Sequence, residues 1–208
     1  DPELNHALET QGKSDARDAV TAYLPDSGRV HFTLQTEPMG LGHAVWCARD
    51  LVGDEPFAVV LADDLVQSQA PCLKQLLDVY EEKGGNVVAV MDVPREETRN
   101  YGILKVGEDN GRLAEVQGLV EKPDPAQAPS TLSIIGRYVL QPAIFDLLAE
   151  QRRGAGKEIQ LTDAMARMIG QTPFHGLRFE GHRFDCGNRL GFLEANLAYA
   201  RARKEFCE

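Results

Sequence analysis

Polar residues with chemical potential stand where the apolar runs of this chain stop. Asp63 and Asp64 close a run from Phe57 to Leu61, and Asp185, followed by Cys186 and Gly187, closes an extended stretch over 176–185. Gln35 ends a short apolar segment, and Glu121-Lys122-Pro123 ends another. A carboxylate in such a place can hold Mg²⁺, which prefers oxygen ligands and commonly bridges to substrate phosphates. Aspartate is also an ordinary turn residue, so the Asp63-Asp64 pair taken alone reads equally well as a strand terminus. Two separated aspartates, 63 and 185, converging on one cation would make a nucleotide-phosphate site.

Gly40 and Gly42 let a backbone approach a flat ligand closely. Their turn lacks the G-x-G-x-x-G and Walker spacings, which weakens a phosphate-loop reading. Contact with a base through Gln35 and the Gly40 backbone fits better, because an amide both donates and accepts. The plainer alternative for Gln35 is a solvated residue at a strand end. Lys122 can neutralise a phosphate while Glu121 receives sugar hydroxyls; an isolated exposed Glu-Lys pair contributes little. His43 opens a helix rich in Ala and Val and reads as a packed or capping residue rather than a base. The other histidines show no metal-ligand spacing, no G-x-S-x-G occurs, and Cys186 has no assigned base, so nucleophilic catalysis has little support.

The elements that must position these residues alternate. Residues 3–24 read as one or two surface helices broken near Gly12, followed by a Pro25-Asp26-Ser27-Gly28 turn. A first strand over 30–34, the glycine turn, a helix over about 43–51 and a strand over 57–61 compose a βαβ unit, its second strand buried on both faces. Open α/β sheets bind ligands beyond the carboxyl ends of their strands. A helix over 70–83, closed by Gly84-Gly85, and a strand over 86–93 form a second crossover. Asn110-Gly111 between strand-like runs marks a hairpin. A strand over 134–140, helices over 142–150 and 162–169, a strand pair or extended run over 176–185 and a closing helix over 191–206 complete the pattern. The expected fold is α/β: a mixed, mainly parallel central sheet flanked by helices (Rossmann-like), with an antiparallel hairpin insertion.

At 208 residues and 43% hydrophobic the chain can bury a full core as one domain. Parts over 1–95 and 96–190 and a helix over 191–208 divide it. Lys and Arg number 22 against 32 Asp and Glu, with no basic run, which argues against a nucleic-acid polymer as partner. Four scattered cysteines suggest neither a zinc site nor a disulfide framework, and reduced thiols point to the cytoplasm. No apolar run approaches the ~18 residues of a membrane span.

Read in order, Gln35, Gly40-Leu41-Gly42-His43-Ala44, Val59 to Asp64, Tyr101-Gly102, Val120-Glu121-Lys122-Pro123, Glu158-Ile159-Gln160-Leu161-Thr162-Asp163-Ala164 and Asp185-Cys186-Gly187 strongly resemble the bacterial UTP–glucose-1-phosphate uridylyltransferases (UDP-glucose pyrophosphorylases) of the sugar-nucleotidyltransferase superfamily. The resemblance implies a site. Gln35 and the Gly40 backbone would read uracil, and Asp63 and Asp185 would hold Mg²⁺ between the phosphates. Asp64, Gly102 and Glu121 would serve the sugar, with Glu158 shaping its pocket. Lys122 would contact the sugar phosphate, so that Asp63, Lys122 and Asp185 carry the catalysis. Ala62 stands where many relatives have proline.

The implied reaction is UTP plus glucose 1-phosphate giving UDP-glucose plus pyrophosphate, by direct in-line attack. A homo-oligomer, dimer or tetramer, is the usual state of look-alikes. The family's opening strand and arginine-bearing G-x-G-T-R loop have no counterpart here. A fragment lacking its N-terminal βαβ unit, with little turnover alone, is therefore expected. A thymidylyltransferase, a weakly active paralogue and a non-catalytic nucleotide-sugar-binding module remain alternatives.

Overall fold

A computed structural model of the chain describes residues 2–22 and 28–206. The chain divides into two compact units, Asp1–Leu34 and Gln35–Glu208. In the first, helices α1 (Pro2–Thr10) and α2 (Ser14–Thr21) are separated at Gly12, whose φ of 66° suits the break. Arg17 joins them through Glu9, 3.5 Å away. The expected strand over 30–34 does not form: the segment is irregular, with Phe32 90% and Leu34 81% exposed. β-propensity alone does not make a strand; a ladder partner does, and none lies beside these residues among those described. Most of the expected turn, 25–27, lies outside the described residues.

The second unit opens with α3 (Leu41–Trp46) and α4 (Arg49–Val52), two short helices in place of the single one expected. There follow β1 (Phe57–Val60), β2 (Asp64–Gln67), α5 (Cys72–Lys83), β3 (Asn86–Asp92), β4 (Gly102–Asp109) and β5 (Leu113–Glu121). The chain continues through β6 (Leu132–Leu140), α6 (Ile144–Ala149), α7 (Leu161–Met168), β7 (Phe174–Arg178), β8 (His182–Asp185) and α8 (Arg189–Arg201). Gly84 ends α5 at φ 68°, its N–H bonded to Tyr80 O at 2.8 Å, as a glycine helix cap should. The hairpin turn is built by side chains: Asp109 Oδ1 accepts from Gly111 N, and Asn110 Oδ1 from Leu113 N at 2.7 Å.

The large sheet has the order β1-β6-β3-β7-β5-β4, and β4 also pairs with β6, so five strands close partly on themselves. It is α/β and mixed, but not mainly parallel. Only β3–β7 is a parallel pair among the described strands; β1–β6, β3–β6, β4–β5, β4–β6 and β5–β7 are antiparallel. β1 and β3 do not neighbour each other, because β6 lies between them. Nor is β1 covered on both faces. It is the sheet edge, and its burial alternates, with Val60 51% exposed. β7 and β8, expected to pair, belong to different sheets, since β8 pairs with β2.

β3 shows what covering on both faces requires. Val87 and Ala89 pack with Leu76 of α5 and with Ile135 and Val139, while Val88 and Val90 join Leu104, Leu140, Leu148 and Met165 on the other side. No helix among the described residues is long and apolar enough to cross a membrane.

Candidate functional site

The site is built where β1 leaves the large sheet. Leu61 N still bonds to Gly136 O at 2.9 Å, extending the β6 ladder by one residue, and then the chain turns through 61–64 into β2. In the small sheet Asp64 stands opposite Asp185, and Cys186 N donates to Asp63 O at 2.7 Å. Asp63 and Asp185, distant in sequence, are thereby brought side by side. A Cβ placed on Gly187 would lie 3.1 Å from Asp185 Oδ1 and 3.3 Å from Asp63 Oδ2, so one oxygen of each carboxylate borders the same small space over Gly187. Asp63 is exposed and Asp185 half-buried.

Two carboxylates open to solvent are the donor set by which Mg²⁺ is held when substrate phosphates and water complete its shell. No cluster of three or more His, Cys, Asp or Glu that could cage a metal occurs among the described residues. The donor chemistry therefore fits a cation shared with a phosphate rather than a closed structural site.

Asp64 takes a different part. Its side chain is 8% exposed, Oδ2 accepts from Gly136 N at 2.6 Å, and Oδ1 is held by the Arg183 guanidinium. Both oxygens are engaged within the protein, which makes Asp64 a buried counter-charge. Arg137, inside the otherwise apolar β6, donates Nη1 to Leu61 O at 2.9 Å and to Gly136 O at 2.7 Å, and Nη2 to Asp64 O. Three carbonyls around the Asp63 turn thus share one guanidinium. Burial opposes charge on Arg183, but the Asp64 charge and the bonds to Tyr101 and Asp64 outweigh it and hold its pKa above the usual value. Burial pushes the Tyr138 phenol up strongly, and the charges of Asp64, Glu121 and Asp63 push it further.

The residues expected to serve a sugar gather at the open end of the β4–β5 hairpin. Gly102 pairs with Glu121, and a Cβ on Gly102 would lie 3.1 Å from Thr162 Oγ1 and 3.2 Å from Glu121 Oε2. Its missing side chain admits both neighbours. Lys122 adopts a left-handed φ of 46°, its N–H bonded to Tyr101 O at 2.9 Å and its Nζ 3.7 Å from Glu121 Oε1. A non-glycine residue in that region is strained, and such strain clusters at ligand sites.

The glycine turn forms a further group. Gln35 Nε2 bonds to Gly40 O and to His43 Nδ1, each at 3.0 Å. His43 is buried and stacks on Trp46, as its reading as a packed residue anticipates. Gly42 N donates to Ile159 O at 2.9 Å, and Ile159 N to Met39 O at 2.7 Å. A Cβ on Gly40 would lie 2.8 Å from Glu158 Cβ, so the turn seats directly on the 158–160 segment. Glu158 Oε2 accepts from Gln160 Nε2 at 3.0 Å. That segment runs on to Thr162 beside Gly102 and so links the glycine turn to the sugar-side group.

Arg137 and Arg183 are the residues sequence reasoning missed. A charge inside the apolar run Ile134-Ile135-Gly136-Arg137-Tyr138-Val139-Leu140 was the available signal, because a buried guanidinium must find acceptors. Arg183 offered none, sitting on a short strand of mixed polarity.

The sequence and the fold match known proteins. The nucleotidyl transferase family model matches residues 9–202. A UTP–glucose-1-phosphate uridylyltransferase of Komagataeibacter xylinus is 52% identical over 188 residues, 90% of this chain and 66% of that protein. A UDP-glucose pyrophosphorylase structure complexed with UDP-glucose superposes with a TM-score of 0.78 at 40% identity, over 81% of this chain and 65% of that one. The UTP-bound enzyme of Acinetobacter baumannii superposes with 0.88 at 36%, over 99% and 72%. This chain spans about two thirds of the length of these relatives. It belongs to the nucleotidyl transferase family and is homologous to the UTP–glucose-1-phosphate uridylyltransferases.

Proposed function

We propose that the chain carries the sugar-nucleotide site of an enzyme joining UTP and glucose 1-phosphate into UDP-glucose and pyrophosphate. The pairing of Asp63 with Asp185 across Gly187 is the observation that carries this reading. Relatives solved with UDP-glucose and with UTP support it.

Gln35 spends its N–H₂ on Gly40 and His43, which leaves its carbonyl oxygen to accept from the uracil N–H. Glu121, seated over Gly102, accepts sugar hydroxyls, and Glu158 supports the turn behind. Lys122, half-exposed, offers its ammonium to the sugar phosphate. Asp63 and Asp185 hold Mg²⁺, which when bound neutralises phosphate charge. Asp64 acts on the site through Arg183 rather than by touching sugar. The glucose-1-phosphate oxygen is already anionic, so no protein nucleophile or base is needed. That oxygen forms the new bond to the α-phosphorus of UTP while pyrophosphate leaves with the bridging oxygen. The chain orients the two phosphates and lowers their repulsion.

The free cysteines Cys72 and Cys186 support a cytoplasmic location. The apolar residues that α8 leaves exposed, Leu190, Phe192, Leu193 and Leu197, support a homo-oligomer.

Titration calorimetry with UDP-glucose tests the reading. Binding strengthened by Mg²⁺ and reduced by EDTA or by Asp63→Ala is the expected result. Binding indifferent to both would make the chain a nucleotide-sugar-binding module without metal chemistry.

A further inference from the structure

We propose that Arg183 is a positioning residue that locks the Asp63–Asp185 pair to the arm carrying Gly102, Glu121 and Lys122; this rests on the site reading above. Its side chain is 11% exposed, and its guanidinium reaches three separate segments. Nε and Nη2 hold Asp64 in the 61–64 turn, Nη1 donates to Tyr101 Oη at 3.2 Å, and Nη2 lies 3.6 Å from Asp185 Oδ2. The Tyr101 ring lies 5.6 Å from the same guanidinium, and Tyr101 O is the acceptor for Lys122 N.

The contact with Asp185 carries the inference. Asp185 Oδ2 lies toward Arg183 while Oδ1 accepts from Gly187 N at 3.0 Å, so the carboxylate is held from both ends with Oδ1 on the Gly187 side, where Asp63 Oδ2 also lies. A planar, multiply donating cation performs this double duty where an ammonium, with one centre, serves one side at a time. Stability is not the evident purpose, because buried ion pairs generally contribute little beyond well-packed apolar residues of the same volume. What such a pair supplies here is a fixed angle between two carboxylates and a fixed distance from them to Lys122.

The test uses three forms of the 208-residue chain: the parent, Arg183→Lys, and the double variant Arg183→Met with Asp64→Leu, which removes both buried charges together. UDP-glucose affinity is measured with Mn²⁺ and with EDTA, and amide hydrogen exchange is followed at Cys186, Lys122 and the β3 strand. In the double variant the Mn²⁺ enhancement should fall about tenfold to a hundredfold, as expected when a residue orienting metal ligands is lost. The Cys186 and Lys122 amides should lose protection together while β3 keeps its own. Arg183→Lys, which keeps a charge opposite Asp64, should preserve β3 protection without restoring the enhancement.

A folded double variant with the parent's enhancement, or with both amides protected as in the parent, overturns the assignment. Should the double variant not fold, a Lys variant with unchanged binding and unchanged protection overturns it equally. A parent without any Mn²⁺ enhancement sinks the site reading itself. The amide readout, which needs neither metal nor ligand, still decides whether Arg183 ties the segments together.

Discussion

The carboxylate corner and the glycine turn are both loops beside the same sheet, yet they hold their shape by opposite means. Around Asp63 the backbone is tied by side chains arriving from afar: Arg137 caps three carbonyls from β6, and Arg183 reaches Asp64 from β8. Around Gly40 the work is done mainly by backbone bonds and by missing side chains, with Gly42 N on Ile159 O, no room for a Cβ against Glu158 and Ile159, and one nearby side chain, Gln35, on Gly40 O. The first design concentrates charge and can orient ligands electrostatically. The second concentrates contact and can bring main chain against a flat ring.

If that contrast holds, the two corners must fail differently. Asp64→Leu leaves the Arg183 guanidinium buried without its counter-charge and should cost about 3–5 kcal/mol, read as a fall in the urea midpoint at constant m. Replacing both partners with apolar residues should recover part of that loss, the remainder reflecting Gly136 N and Tyr101 Oη, which lose their partners. Gly42→Ala tests the other corner, since its Cβ would sit 2.7 Å from Ile159 O and 2.9 Å from Leu148 Cδ2. A cost of about 1–3 kcal/mol is expected, with little dependence on ionic strength. A Gly42→Ala chain as stable as the parent would show that the turn yields and that packing does not define it.

Smaller effects separate function from fold. Asp63→Asn, at an exposed position, should alter stability by less than about 0.5 kcal/mol yet weaken Mg²⁺-dependent UDP-glucose binding by about tenfold or more, near 1.4 kcal/mol. Gln35→Ala should weaken uridine binding by about 1 kcal/mol, the net worth of one hydrogen bond, with or without metal. A Gln35 effect that vanished in EDTA would merge the two corners into one. Least of all should change at Cys72, whose thiol burial raises to about 11. A maleimide should label it only when the whole chain unfolds, at a rate that tracks global stability.

Much of this was legible in residue order. Helix α5 with its glycine cap, the Asn110-Gly111 hairpin and the covered strand β3 follow from local period and turn chemistry, and each forms near its expected bounds. Phe57–Val60 and Asn86–Asp92 are similar strings of β-branched and small residues, yet one is an edge strand and the other is covered on both faces. Nothing within four residues records which neighbour a strand will find. The short strand Asp64–Gln67 was hidden for the same reason: its ladder partner, β8, lies far along the chain.

By itself, then, the sequence determined the residue types able to bind phosphate, sugar and base, and the ordered set of motifs that marks the family. Local chemistry is enough for that, since a carboxylate, an amide or a glycine is what it is wherever the chain goes. Only the tertiary structure decided that Asp63 and Asp185 meet across Gly187, that Asp64 turns inward to Arg183, and that the sheet is mostly antiparallel. Those outcomes depend on long-range pairing, in which desolvated charges must find partners and strand edges must find ladders.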